Sequence, residues 1–366
     1  MSPGTWFVTG YPGFIARRLV AQISEAAPGA RIYALAHPRL EREARRAAEA
    51  VHNVQVFTGD VADMHLGMQG EAWRTLADEV TDIFHLAALG EAGDGKPELE
   101  RVNVEGTRNA LELAQQCERL RRFTHFSTAY VSGDRAGVIA EDELEMGQGF
   151  RNAYEETKFR AEQWVRRAAT RGLPVTVVRP SSVVGPGQGS EARAFRGEYH
   201  RALLAVTSPL ASGDPLPGEG VAPFHVVPLE FVVRAAFALS RDPRAVGRTF
   251  HLVDPAPASA RRIHEQVARL AGRPIPRFQF SLPARTGLSR LPLLEWLPGT
   301  NAGARGQVNR LSFYRSSETL ELLSGTGIQC PPVESYLEVL LESVREHHRR
   351  GAPSEEPDDP LDPRKD

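Results

Sequence analysis

The sequence predicts an α/β fold: a doubly wound parallel sheet with helices on both faces, followed by a smaller C-terminal lobe. Three observations predict it. Thr5-Trp6-Phe7-Val8-Thr9 is a short β-branched and aromatic run, followed directly by a Gly-containing turn and an amphipathic stretch through Ile23. Strand and helix patterns then alternate through the first half of the chain, the signature of parallel strands joined by crossover helices. After Gly185 the composition changes, and residues 186–223 become rich in Gly, Pro and Ser.

The elements follow in order. Thr5–Thr9 is the first strand and the stretch to Ile23 the first helix. Arg31–Ala36 is a second strand, Leu40–Val51 an Ala-rich charged helix, and Val54–Thr58 a third strand ending at Gly59-Asp60. Asp82–Leu86 is a fourth strand leading into Ala87-Ala88. Glu98–Glu118 is a long helix, Phe123–Ser127 a fifth strand, Tyr154–Thr170 a helix, and Pro174–Val178 a sixth strand closed by Arg179-Pro180. His225–Ser240 reads as a strand end and a helix, Phe250–Val253 as a short strand, and a final helix starts near Val333. Residues 1–185 and 224–256 are expected to form a dinucleotide-binding Rossmann domain. Residues 186–223 and 257–342 are expected to form a substrate lobe, and 343–366, charged and Pro-rich, a disordered tail. Ligands of such sheets bind outside the carboxyl ends of the strands, so Gly10, Asp60, Ala87, Thr128 and Pro180 gather on one edge.

Composition narrows the function classes. A 41% hydrophobic fraction supports a substantial core, and a formal net charge of −2 gives no electrostatic case for nucleic acid. Two cysteines, Cys117 and Cys330, are too few for a disulfide framework and lack metal spacing. No metal site is expected; His347-His348 reads as solvated tail. No signal peptide or membrane span is legible, and a reducing cytoplasm is the expected compartment.

In the first turn, Gly10 permits the tight bend, and Gly13 lets backbone N–H groups approach a pyrophosphate at the helix N-terminus, where the dipole favours anions. Ala16 stands where a third Gly is usual, the smallest departure for close helix–strand packing. Later, only three of the 44 basic side chains are lysine, Lys96, Lys158 and Lys365. One of them follows Tyr154 by one helical turn in NAYEETKFRAEQ, so the two side chains stand on one helix face. A compact ammonium there can lower a phenol's pKa and reach a ribose hydroxyl, which a planar guanidinium does differently. The plain alternative is an exposed helix with an incidental Tyr and Lys.

Cofactor choice turns on the end of the second strand. A site selecting NAD places an acid there for the ribose 2′-hydroxyl. Here the chain reads Leu35-Ala36-His37-Pro38-Arg39, with no acid before Glu41. His37 and Arg39, with Arg42 near, therefore favour NADP(H), and NAD stays as the alternative.

The motifs TGYPGFIA, GDVAD, FHLAA, NVEGT, FSTAYVSG, YEETK and RPSSVVGPG, in this order, resemble the extended short-chain dehydrogenase/reductase family over roughly residues 5–255. Within it, DVADMHLGM, TDIFHLAAL and RGLPVTVVRPSSVVG are similar to the group holding fatty acyl-CoA reductases, male sterility proteins and thioester reductase domains. The resemblance implies an NADP(H)-dependent oxidoreductase with Tyr154 as acid/base and Lys158 as its partner, which also holds the nicotinamide ribose. It implies Thr128 as the hydroxyl that positions a substrate carbonyl and Asn103 as a proton-relay residue. It also implies a cofactor site of Gly10, Tyr11, Pro12, Gly13, Phe14 and Ile15 at the pyrophosphate, Asp60 and Val61 at the adenine, and Ala87, Ala88, Tyr154, Lys158, Pro180 and Val183 further along, beside the His37 and Arg39 read from the strand end; the group often has Arg where His37 stands.

The implied substrate is an acyl thioester, aldehyde or ketone on an apolar group. No carrier-protein or adenylation segment is legible, so a thioester is expected to arrive on CoA or on a separate carrier protein. A homodimer is left open. A sugar-nucleotide epimerase or dehydratase is the alternative enzyme, although a dehydratase usually has Glu and Asp beside the Thr where Ala129 and Tyr130 stand here. A non-catalytic dinucleotide sensor is the alternative outside catalysis. Phe195, Tyr199, Leu203 and Leu204 are expected to face an apolar substrate channel.

Overall fold

The computed structural model describes residues 4–90, 95–185, 220–270, 272 and 311–342. Its centre is a seven-stranded, wholly parallel sheet in the order β3-β2-β1-β4-β5-β7-β10. The strands are β1 (Thr5–Tyr11), β2 (Arg31–Ala36), β3 (Val54–Thr58), β4 (Asp82–His85), β5 (Arg122–Phe126), β7 (Val175–Pro180) and β10 (Thr249–Leu252). The order reverses between β1 and β4, the switch point at which such sheets open a crevice at their carboxyl ends.

Each face is closed by helices whose apolar stripe matches the helical period. On α1 (Phe14–Ala26) the buried residues are Ala16, Leu19, Val20 and Ile23, spaced i, i+3, i+4, i+7. Together with α2 (Glu41–Ala48) and α7 (Leu229–Arg241), α1 covers Val8, Phe84, Phe126 and Val178. Here Phe84 stacks on Trp6 at 5.5 Å. Burying each such large apolar side chain contributes about 1.5–3 kcal/mol. The opposite face packs Phe7, Ile83, Phe123 and Val177 under α3 (Gly70–Glu79), α5 (Gly106–Gln116) and α6 (Ala153–Thr170).

Several local elements differ from the sequence expectation. The α3 helix was not expected; its Trp73 and Leu76 are buried at i and i+3, a pattern too short to stand out beside the polar residues around it. The long helix expected over Glu98–Glu118 is broken into α4 (Lys96–Leu99), a π-helical stretch Glu100–Glu105, and α5. The helix expected from Val333 begins as a 3₁₀ turn at Val333–Ser335, with α-helix over 337–342. Two small parallel ladders were also missed: β6 (Gly137–Ile139) with β11 (Ser312–Tyr314), and β8 (Ser182–Val184) with β9 (Val226–Pro228). A separate apolar cluster joins Phe224 and Val226 to Ile263 and Val267 of α8 (Ala260–Leu270) and to Val333, Leu337 and Leu341. The expected substrate channel of Phe195, Tyr199, Leu203 and Leu204 and the tail from 343 lie outside the described residues. Among the described residues, no helix is long and apolar enough to cross a membrane.

Candidate active site

Gly10 sits in β1 just past Thr9, with φ +80°, a conformation costly to any residue with a Cβ. A Cβ there would lie 2.8 Å from the Ala87 backbone N. At Gly13 a Cβ would lie 2.7 Å from the Gly10 carbonyl oxygen, to which the Gly13 N–H donates at 2.8 Å. The α1 N-terminus that follows carries no side-chain cap and no acid in its first turn, where Phe14 and Ile15 stand. The first-turn dipole is thus left for an external anion, and these residues fit a dinucleotide pyrophosphate. Gly10→Ala is expected to weaken dinucleotide binding by about tenfold or more, because an L-residue at this φ costs about 1–2 kcal/mol before the contact with Ala87 is counted; calorimetric titration of the nucleotide checks it.

Beneath this turn lies a buried polar layer that the sequence did not reveal. The Thr9 hydroxyl accepts from the Leu86 and Ala87 N–H groups, both at 3.1 Å, so its one proton goes to Nδ1 of His85 at 2.9 Å. His85 therefore carries its proton on Nε2 and donates to Thr107 Oγ1 at 3.0 Å, and Thr107 donates to the Asn103 carbonyl at 2.7 Å. Burial and the nearby Lys158 push the His85 pKa down to about 3, so it stays neutral. His125 lies opposite His85 across the β4–β5 ladder and stacks on it at 5.6 Å. Neither of its ring nitrogens has a hydrogen-bond partner among the described residues. The only available signal was that FHLAA and THFST place a His at the same depth of adjacent strands.

Asn103 is in the π-helical stretch, and its side chain is fully used. Oδ1 accepts from the Leu89 N–H at 2.8 Å, while Nδ2 donates to the Leu89 carbonyl at 3.2 Å and to Thr157 Oγ1 at 3.0 Å. Thr157 in turn donates to the Tyr154 carbonyl at 3.1 Å. Asn103 thus braces the loop after β4 against the helix that carries Tyr154.

The α6 helix starts at Asn152, whose side chain accepts from the Glu155 N–H at 2.8 Å, so Tyr154 falls in the first turn. Tyr154 is half-buried and Lys158, one turn on, is buried. Lys158 Nζ donates to the Phe126 carbonyl at the end of β5, at 2.7 Å. Burial lowers its pKa to about 8, against the opposing pull of Glu162. Thr128 lies two residues past the end of β5, buried; it opens a 3₁₀ turn with Oγ1 accepting from the Tyr130 N–H at 3.3 Å. The sheet edge therefore brings Tyr154, Lys158, Thr128 and Asn103 to the neighbourhood of the Gly10–Gly13 turn.

The other expected cofactor positions divide. Asp60 follows β3, and its Oδ2 is held by Arg101 at 3.0 Å while Oδ1 caps the Ala62 N–H at 2.9 Å. Val61 is buried where Gly106 starts α5; a Cβ on Gly106 would lie 2.9 Å from it. Ala87 and Ala88 follow β4, Pro180 ends β7 and Val183 lies in β8. His37 caps the turn at Pro38–Leu40, with Nδ1 accepting from the Arg39 N–H, and its Nε2 lies 3.7 Å from Asp60 Oδ2. Burial lowers its pKa below the ordinary 6.5, so at neutral pH it offers a hydrogen bond, and the charges around it are exposed Arg39 and the Asp60–Arg101 pair. Tyr11 and Pro12 form the bend between Gly10 and Gly13, both buried, while Gly13 is exposed.

Among the described residues, no group of three His, Cys, Asp or Glu is placed to hold a metal. Cys117 is buried, which pushes its thiol up to about 12, outside the range of reactive thiolates.

A family model described as male sterility protein, an NAD-binding domain, matches residues 8–236. The chain belongs to that family. This member also bears out the extended short-chain dehydrogenase/reductase likeness and the seven-stranded Rossmann fold. It is 27% identical to glycine betaine reductase ATRR of Emericella nidulans over 223 residues, 60% of the chain and 17% of that protein. It is 27% identical to the chloroplastic fatty acyl-CoA reductase 2 of Arabidopsis thaliana over 166 residues, 39% of the chain and 27% of that protein. The chain thus spans less than a third of these curated relatives. Among solved structures, the terminal R domain of the myxalamid PKS-NRPS pathway superposes with a TM-score of 0.77 at 26% identity, covering 95% of this chain and 92% of that one. UDP-glucuronic acid 4-epimerase of Bacillus cereus, in complex with NAD, shares the fold at 18% identity, with a TM-score of 0.67 and 95% and 99% coverage.

Proposed function

We propose that this family member is an NADP(H)-dependent reductase acting on an acyl thioester, aldehyde or ketone attached to an apolar group. The observation that carries this reading is the Tyr154–Lys158 pair on one face of α6, whose lysine reaches the Phe126 carbonyl two residues before Thr128, on the same carboxyl edge of the sheet as the Gly10–Gly13 turn. Support comes from relatives named as reductases of glycine betaine and fatty acyl-CoA, and from the R domain of a synthetase pathway.

The bound dinucleotide supplies hydride chemistry. The chain supplies the rest. Thr128 holds the carbonyl oxygen, so charge developing there meets a fixed donor. Tyr154 gives its phenolic proton to that oxygen. A free phenol with a pKa of about 10 is a slow donor at neutral pH, and the Lys158 ammonium stabilises the phenolate left behind. Asn103 keeps the first turn of α6 in register with the loop after β4. Gly10 to Ile15 would hold the pyrophosphate, Asp60 and Val61 the adenine, and Ala87, Ala88, Pro180 and Val183 the nicotinamide side of the dinucleotide.

Arg39, with His37 beside it accepting from its backbone N–H, favours a 2′-phosphate. His37→Asp combined with Arg39→Ala is expected to move preference from NADPH towards NADH by about tenfold or more, since an acid repels the phosphate and bonds the 2′-hydroxyl. Titrations of both nucleotides against wild type and variant check it, and tighter NADH binding by wild type would overturn the NADP(H) assignment at once. The reaction is tested by following nicotinamide absorbance with NADPH and a panel of acyl-CoAs, carrier-bound acyl thioesters, aldehydes and ketones. Net NADPH oxidation with one of them is expected. No oxidation with any of them, alongside turnover of a nucleotide sugar, would sink the reading.

A further inference from the structure

An acid stands very close to the residue read at the end of β2 as favouring a 2′-phosphate. Asp60 Oδ2 lies 3.7 Å from His37 Nε2, and the Asp60 side chain is 13% exposed. His37 Nδ1 accepts from the Arg39 N–H, so the neutral ring carries its proton on Nε2, the nitrogen near Asp60. Left uncompensated, a carboxylate at this place repels a phosphate dianion and suits a ribose hydroxyl, which is the arrangement of sites that select NAD.

Arg101 compensates it, from an element that the sequence did not connect to this edge. Its Nη1 and Nη2 both donate to Asp60 Oδ2, at 3.1 and 3.0 Å, across 41 positions of the chain. Glu98 holds the same guanidinium from the other side, with Nε donating to Oε2 at 3.1 Å and Nη2 to Oε1 at 2.9 Å. Asp63 Oδ1 lies 3.5 Å from Nη1. Arg101 belongs to the π-helical stretch Glu100–Glu105 that also carries Asn103, and π-helical turns are frequent at functional sites. The charged groups bearing on His37 are Asp60, Arg39, Arg101 and Asp63. With Glu98 behind Arg101, the acids Asp60, Asp63 and Glu98 face the cations Arg39 and Arg101; without Arg101 they would face Arg39. Stability does not require this reach. Arg101 is 41% exposed, exposed ion pairs are worth about 0–1 kcal/mol, and the i,i+3 contact with Glu98 already holds the side chain on its own helix.

We propose, resting on the NADP(H) reading above, that Arg101 is a specificity-determining residue of the adenosine subsite, cancelling the Asp60 charge beside His37 so that a ribose 2′-phosphate is admitted. Asp60 meanwhile stays fixed, with Oδ1 on the Ala62 N–H and Oδ2 on Arg101. The two residues therefore act on cofactor choice in opposite directions. Removing the arginine disfavours the phosphate, and removing the acid favours it.

Binding measurements test this without turnover. Arg101→Gln, Arg101→Lys, Asp60→Asn and the Asp60→Asn/Arg101→Gln pair are titrated calorimetrically with NADPH, NADH, 2′,5′-ADP and 5′-AMP, with thermal melting to check folding. Arg101→Gln is expected to lower the NADPH/NADH affinity ratio by about tenfold, with NADH itself within about twofold, and 2′,5′-ADP should weaken while 5′-AMP does not. The loss should shrink in high salt, as an exposed charge requires. Arg101→Lys keeps the charge and should hold the ratio within about threefold of wild type; a loss as large as that of Arg101→Gln would overturn the charge argument. Asp60→Asn should raise the ratio, and the double variant should return it towards wild type. Equal weakening of both nucleotides by Arg101→Gln, or an unchanged ratio, overturns the proposal. If Arg101→Gln does not fold, Asp60→Asn decides: a raised ratio supports the proposal, and an unchanged or lower one overturns it. Tighter NADH binding by wild type would remove the NADP(H) reading, while a further fall of the ratio in Arg101→Gln would leave the role of Arg101 standing. Wild-type preference for NADPH with no fall in that variant would do the reverse.

Discussion

Tyr154→Phe is expected to lower turnover by about 10²–10⁴-fold, the usual contribution of a positioned acid, while leaving NADPH affinity within about twofold. The phenyl ring can still pack in the first turn of α6, and that turn is held by groups the substitution does not touch: the Asn152 cap and the bond from Thr157 to the Tyr154 carbonyl. Only the proton donor is lost. Single-turnover kinetics with saturating NADPH, alongside a fluorescence titration of the nucleotide, separate the two effects. Turnover near the wild-type level in this variant would remove Tyr154 from the mechanism.

Lys158→Arg is expected to be nearly as severe, although it keeps a positive charge. Lys158 is 3% exposed, and its Nζ reaches the Phe126 carbonyl at 2.7 Å. A guanidinium is wider and planar, and its fork does not fit a site shaped around a compact ammonium. A loss of about 10²-fold or more is expected, with thermal melting to show that the chain still folds. The same lysine sets a pH limit. With a pKa lowered to about 8, it is charged below that pH and neutral above it. Turnover in the reductive direction should therefore fall as pH rises through about 8, and a pH–rate profile flat to 10 would contradict the role assigned to Lys158. Because Tyr154 and Lys158 are coupled, the observed limb belongs to the pair.

Much of this was legible before any coordinates. Thr5–Thr9, Gly10 and Gly13 announced a strand, a tight turn and an anion-binding helix start through local chemistry alone: β-branching, the missing Cβ, and the apolar stripe of Ala16, Leu19, Val20 and Ile23. The Tyr154–Lys158 spacing needed only the helical period. What failed locally failed for tertiary reasons. The α3 helix is short and polar, and it is held by burial of Trp73 and Leu76 against the sheet. The 137–139 and 312–314 strands are too brief to signal anything until they pair across the chain. The partners of the Asn103 amide, Leu89 and Thr157, are supplied by a loop and another helix and had no signal near Asn103.

The sequence by itself determined the order of elements, the carboxyl-edge location of the site, and the Tyr/Lys pair, because each depends on residues close together in the chain. The tertiary structure alone decided the environment of that pair. Thr9, His85, Thr107, His125, Glu162 and Arg179 come from four strands and two helices, and none carries a local signal. Only when the sheet and α6 close over them do they lose water, and only then does burial set which of them stay neutral, which stay charged, and which proton each one holds.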